Sequence, residues 1–344
     1  MQLAHADVRV GVLGRALRRS GLALALALAV AAAGCHAPGT SNSPSGGGQL
    51  TVAVVPGIDT APLTVAVNDG LFRQQGLTVT VKQFPSVEQT YEALENGTVD
   101  VAAGDYTEFF YAISYGAPLK LVMDGYDAAA GTMQVLTLPT SGISSPGALA
   151  GTTVGTPEAG GPGGQGKPGP AFSQTFPYNI QTLAAETVLG SDGVGDVTWK
   201  EMPESGLLNA LKNGRVSAIL ATDPLIIEAE TRLGAVPVFD ACSGVTANLP
   251  LSGYFSTTAF ANQHGAALRA FRTALITAQS DAGMRSTVQS VLRSEHMTTQ
   301  EAALVNIGQY PTFVNVGQVQ RVADLMYVSG VITSPISVQS LLLK

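Results

Sequence analysis

Two aspartates in matching surroundings are the residues of this chain best placed to do chemistry. Asp105 closes the run ALENGTVDVAAGD (93–105), and Asp223 closes ALKNGRVSAILATD (210–223). Each run has the tail of an amphipathic helix, an Asn-Gly pair (Asn96-Gly97, Asn213-Gly214) and a short stretch rich in Val, Ala and Ile. Glycine accepts the left-handed backbone that ends a helix. The apolar stretch predicts a strand buried on both faces. A carboxylate at the carboxyl end of such a strand can accept hydrogen bonds from the N–H or O–H donors of a ligand. It can equally cap the helix that follows. For either residue alone the two readings weigh the same; their recurrence at the same position favours a ligand-binding pair.

The echo extends further. EFFYAISYGAPLKLVMD (108–124) and LIIEAETRLGAVPVFD (225–240) both predict helix, glycine, strand and a closing Asp. Two copies of one α/β unit predict two similar lobes with parallel sheets, and ligands of such sheets bind beyond the carboxyl ends of the strands. Tyr106, at the start of a helix, is positioned to face a ligand, whereas Phe109, Phe110 and Trp199 read as packing residues.

Other chemistries lack their parts. Gly161–Lys167 (GPGGQGK) satisfies two glycine-rich phosphate patterns, but Pro168 stands where a P-loop needs Ser or Thr. No acidic residue follows at the spacing of a dinucleotide site, so 159–170 reads as a loop. There is no G-x-S-x-G elbow, and neither Asp-bearing copy contains a histidine, so a Ser-His-Asp hydrolase is not indicated. His5, His36, His264 and His296 fall at no metal-ligand spacing with one another or with Cys35 and Cys242. No cofactor or metal is expected. Cys242 reads as a buried, inert thiol.

These elements sit in a chain of 344 residues, long enough for two domains, with 45% apolar and 12% charged residues, as in a packed globule. Without the basic leader, 14 Lys and Arg stand against 24 Asp and Glu, a net charge of −10. Such a surface repels phosphate backbones, so nucleic-acid binding is not expected. Residues 1–34 combine a basic segment with GLALALALAVAAAG, a run too short to span a bilayer and patterned as an export signal. Ala32-Ala33-Gly34-Cys35 resembles the lipobox of bacterial lipoproteins, with Ala32 where Leu is preferred, which makes Cys35 the expected lipidation site. Residues 35–48 form a polar tether. The remaining elements predict one lobe from 49–133 and 259–344 and the other from 134–258, joined by two crossing strands, Gly131–Pro139 and Ser252–Ser256. The stretch from Gln263 onward reads as helices.

GLFRQQGLTVTV (70–81), the two Asp-bearing copies and CSGVTANLPLSGY (242–254) together resemble the substrate-binding proteins of ABC transporters. The similar branch is the one of nitrate, aliphatic-sulfonate, taurine and thiamine-precursor binding proteins, and the resemblance covers most of 50–330. It implies an α/β, two-lobed periplasmic-binding-protein fold, type II-like, with a ligand cleft between the lobes that closes on its ligand. It implies a monomeric receptor that hands a small molecule to a membrane permease driven by an ATPase subunit. With the lipobox, it places the chain on the outer face of the bacterial cytoplasmic membrane. Carried over by position, the site comprises Asp59 and Thr60, then Asp105, Tyr106 and Thr107, then Tyr126, then Thr175, Phe176 and Tyr178, and finally Asp223. These loops offer Asp, Thr and Tyr but no arginine, a departure from an anion-binding pattern. The alternatives are a receptor that feeds a sensor and an enzyme on the same fold. A yeast pyrimidine synthase of the thiamine pathway resembles this family, but it relies on a site rich in His and Cys that is missing here.

Overall fold

A computed structural model of the chain describes residues 48–157, 179–295 and 297–343. The expectations for the leader, for Cys35 and most of the tether, and for Thr175, Phe176 and Tyr178 lie outside the described residues.

The first half alternates strand and helix as its apolar pattern demands. β1 (Gly48–Val54) leads through α1 (Ala61–Asn68) and α2 (Leu71–Gln74) to β2 (Leu77–Gln83). α3 (Val87–Glu95) follows, begun by Ser86, whose Oγ accepts the N–H of Gln89 at 3.3 Å. It buries Thr90, Tyr91 and Leu94, one face at helical spacing. β3 (Val101–Asp105), α4 (Tyr106–Ser114) and β4 (Leu119–Asp127) complete this half. The second half runs β5 (Met133–Thr137), β6 (Thr153–Pro157), α5 (Ile180–Ser191), β7 (Thr198–Met202), α6 (Glu204–Lys212), β8 (Ala218–Thr222), α7 (Leu225–Leu233) and β9 (Val236–Asp240). β10 (Pro250–Thr257) precedes the helices α8 (Thr258–Ala282), α9 (Arg285–Ser294), α10 (Thr299–Leu304), α11 (Val316–Val328) and α12 (Val338–Leu341). Gly97 and Gly214, the helix-ending glycines of the two copies, both have left-handed backbones, at φ +73° and +66°.

The strands form two five-stranded sheets with the same plan, β2-β1-β3-β10-β4 and β7-β6-β8-β5-β9. β1 is parallel to β2 and β3, and β6 is parallel to β7 and β8. Contrary to the expectation of parallel sheets, each also contains an antiparallel strand. β10 runs antiparallel to β3 and β4, and β5 antiparallel to β8 and β9. Each antiparallel strand is the one that arrives from the opposite half of the chain and so enters its sheet from the cleft end. Sheet membership also differs from the expected lobe limits at one place. The segment 250–257 hydrogen-bonds in the first sheet, although the expected second lobe extends to 258, because the chain returns ahead of β10.

The first sheet is held by aromatic packing. Phe109 and Phe255 stack with ring centroids 4.1 Å apart, and Tyr106 meets Phe255 edge-on at 5.7 Å. Phe109 and Phe110 are fully buried, as expected for core residues, and Trp199 packs half-buried on the core from edge strand β7. Among the described residues, no helix is long and apolar enough to cross a membrane.

Candidate functional site

The carboxyl ends of β1, β3, β4 and β8 converge, with the starts of the antiparallel strands β5 and β10, on a cavity of about 290 Å³. Asp59, Asp105 and Asp223 all line it. A larger hollow of about 590 Å³ lies away from these strand ends, where Leu138, Lys212 and Val216 line it; it brings no carboxylate together.

Backbone register places the groups on the first-sheet side. On β10, Ser252 lies opposite Asp105 of β3 on one side and Tyr126 of β4 on the other. All three border the cavity, and Asp59 joins them from the turn after β1. Burial pushes the Asp59 carboxyl up to about 6, against a hydrogen bond from Ser252 that favours its charged form. Burial, and the charge of Asp59 beside it, push Asp105 up to about 7. The two carboxyls therefore titrate as a pair near neutrality. Asp105 precedes α4, yet its side chain makes no capping hydrogen bond, so the helix-cap reading loses its geometry there.

Across the cavity, Met133 and Thr222 pair in the second sheet, and Asp223 follows directly. Its Oδ2 accepts the backbone N–H of Asn306 at 2.6 Å and Asn306 Nδ2 at 3.0 Å. Its Oδ1 is buried and has no hydrogen-bond partner among the described residues. Burial raises this carboxyl, and the bonds from Asn306, together with the nearby backbone N–H of Ile227 in the first turn of α7, counteract the rise. Arg285 also lowers it, but the guanidinium donates to the carbonyls of Ala303 and Val305 and not to the carboxylate. No Lys, Arg or His is among the described residues that line the cavity.

The other expected site residues have different surroundings. Tyr126 lines the cavity, and its hydroxyl accepts the N–H of Gly308 at 2.5 Å. Tyr106 is fully buried beneath the cavity, where its hydroxyl donates to Asp124 Oδ1 at 2.8 Å. Thr107 is buried in α4 and does not border the cavity. Thr60 closes a tight turn, exchanging hydrogen bonds with the N–H and carbonyl of Gly57, and faces a separate hollow beside Leu63 and Glu295. Ser252, Asn306, Gln181 and Thr132 line the cavity without having been expected there. Asp240, the closing Asp of the second copy's echo, accepts the N–H groups of Gly131 and Cys242, both at 2.8 Å, and so ties the two crossing segments together. Cys242 is buried, and burial pushes its thiol up to about 12, which suits packing and not nucleophilic attack.

Residues 44–291 match the NMT1-like family. The chain belongs to that family. No curated protein matches the sequence. Among solved structures, the periplasmic aliphatic sulphonate binding protein SsuA from Escherichia coli is 17% identical with a TM-score of 0.67, over 87% of this chain and 98% of that one. A ligand-binding component of an ABC-type import system from Staphylococcus aureus is 14% identical with a TM-score of 0.66, over 86% and 96%. The periplasmic nitrate-binding protein NrtA from Synechocystis is 14% identical with a TM-score of 0.57, over 74% and 69%. At these identities the likeness is one of fold: this NMT1-like chain has the α/β architecture of the periplasmic binding proteins.

Proposed function

We propose that this NMT1-like protein is an extracytoplasmic solute receptor of an ABC importer. It captures a small organic molecule between its lobes by cleft closure and delivers it to a permease and ATPase, without chemistry of its own. The observation that carries the reading is the convergence of Asp59 and Asp105 from one sheet and Asp223 from the other on one cavity. The solute is neutral, or carries a donor-rich or cationic group. Three carboxylates, with no basic side chain among the described lining residues, repel an anion and accept N–H and O–H donors. The solute therefore differs in charge from the sulphonate and nitrate named for the SsuA and NrtA neighbours. A ligand shifts the open–closed balance only through its preference for the closed form. Small-angle scattering of the protein with its solute is expected to show compaction, and turnover of that solute by the purified protein would overturn the reading.

The proposal includes attachment to the outer face of the cytoplasmic membrane through a lipid on Cys35, and ligand binding by Thr175, Phe176 and Tyr178. Labelled palmitate is expected to enter the wild type and not Cys35→Ala, and that variant is expected in the soluble fraction. Equal labelling of both would refute the anchor and leave the receptor reading in place.

A further inference from the structure

The segment between α10 and α11, Val305–Tyr310, is fastened mainly to the first sheet and the elements packed on it, with one further bond from Gln309 Nε2 to Asn248 Oδ1 of the crossing segment at 3.4 Å. Arg285 of α9 donates to the carbonyl of Val305 at 2.5 Å. Gln309 exchanges two main-chain hydrogen bonds with Asp127, both 2.9 Å. Gly308 donates to the Tyr126 hydroxyl, and the Tyr310 hydroxyl donates to the carbonyl of Ile58 at 2.7 Å. The fit is close. A Cβ on Gly308 would lie 2.2 Å from the Asp127 carbonyl oxygen and 2.6 Å from the Tyr126 ring, so only glycine allows the segment to lie flush on the end of β4. Asn306 reaches into the second sheet: its backbone N–H and Nδ2 both donate to Asp223 Oδ2, beyond β8.

We infer that Asn306 is a positioning and latching residue: it ties the second lobe to a strap mounted on the first, and it orients the Asp223 carboxylate toward the solute. Two donors on one charged oxygen form a strong, directional contact. They leave Oδ1, which is buried and without a partner among the described residues, for a donor on the ligand. The orienting role rests on the receptor reading; the latch does not. Without the latch, the lobes are held by the crossing segments 128–132 and 241–249 and by α11, whose Arg321 donates to the carbonyls of Val245 and Ala247.

Scattering from the purified, ligand-free protein, whose lobes the latch holds partly closed and the solute closes further, separates the two roles. Asp223→Ala removes both bonds and is expected to enlarge the radius of gyration by roughly 5% on about 19 Å. Asn306→Ala keeps the main-chain donor and is expected to give a smaller increase. The double variant is expected to match Asp223→Ala, since the pair acts as one unit. Asp223→Asn retains an acceptor oxygen and is expected to stay compact, so a loss of ligand affinity in that variant reports on the receptor reading alone. Should Asp223→Ala not fold, Asn306→Asp gives an independent test by setting a second carboxylate against Asp223, with the same expansion expected. A folded Asp223→Ala, or a folded Asn306→Asp, with the wild-type radius would overturn the latch.

Discussion

Replacing Asp105 by asparagine is expected to weaken solute binding roughly 10- to 150-fold and, at the same time, to make the ligand-free protein more stable at pH 8. The first effect follows from the loss of a hydrogen bond to a charged acceptor, which contributes about 1.5–3 kcal/mol. The second follows from the cost of keeping a carboxylate charged where burial and Asp59 raise it to about 7. The neutral, isosteric amide avoids that cost. Asp223→Asn is expected to weaken binding over the same range. If the two aspartates were only helix caps, asparagine, which caps about as well, would leave affinity and stability nearly unchanged. Titration calorimetry with the solute and thermal melts of both variants decide between these accounts. Unaltered affinity in both would leave the aspartates with no part in binding.

The ligand-free protein is also expected to lose stability as pH rises from 5 to 8. Asp59 and Asp105 have folded-state values of about 6 and about 7 against an ordinary 3.8. Between those limits the folded protein holds more protons than the unfolded chain, so the slope of unfolding free energy with pH is negative. The stabilisation is complete below the unfolded value and is lost as pH climbs through 6 and 7. Burial raises Asp127 to about 7 with the same sign. A tenfold change in proton affinity on folding corresponds to about 1.4 kcal/mol, and discounting for the solvent that reaches the cavity leaves a loss of about 2–4 kcal/mol. For a folded body of about 300 residues, that corresponds to a fall in Tm of roughly 3–6 °C. Asp59→Asn with Asp105→Asn is expected to make the profile shallower, leaving the share that Asp127 contributes. A cationic solute binds the charged pair, so its affinity is expected to fall as pH drops below about 7. Calorimetric melts across this range check the sign, and a Tm that rises toward pH 8 would contradict the buried pair.

Much of this arrangement is legible in the sequence because it is local. The Asn-Gly ends, the small apolar strands and the closing aspartates recur within short windows, so Asp105 and Asp223 stand out before any pairing is known. Their convergence on one cavity depends on both sheets having the same strand order, which the repeat implies. Tyr106 shows the limit of position along a helix. It opens α4 directly after Asp105, yet its side chain turns under the sheet to Asp124, because Phe110 and Phe255 bury the ring. Ser252 is invisible in the sequence for a different reason. Its place between Asp105 and Tyr126 is a matter of antiparallel register across distant strands, whereas the sequence pattern suggests parallel sheets. Asn306 belongs to a segment with no periodicity, and its importance lies in a contact with a residue 83 positions away. β10 contains Ser252–Ser256, the stretch that reads as a crossing strand in the sequence, and it hydrogen-bonds in the first sheet.

The carboxylates of the cavity are expected to select a solute rich in hydrogen-bond donors, neutral or cationic. Mass spectrometry of the small molecule released when the freshly purified protein is denatured tests this most directly. The expected result is one dominant compound bearing amine, amide or hydroxyl groups and no strongly acidic group, retained by the wild type and depleted in Asp105→Asn. A sulfonate, nitrate or other anion released in stoichiometric amount would contradict it.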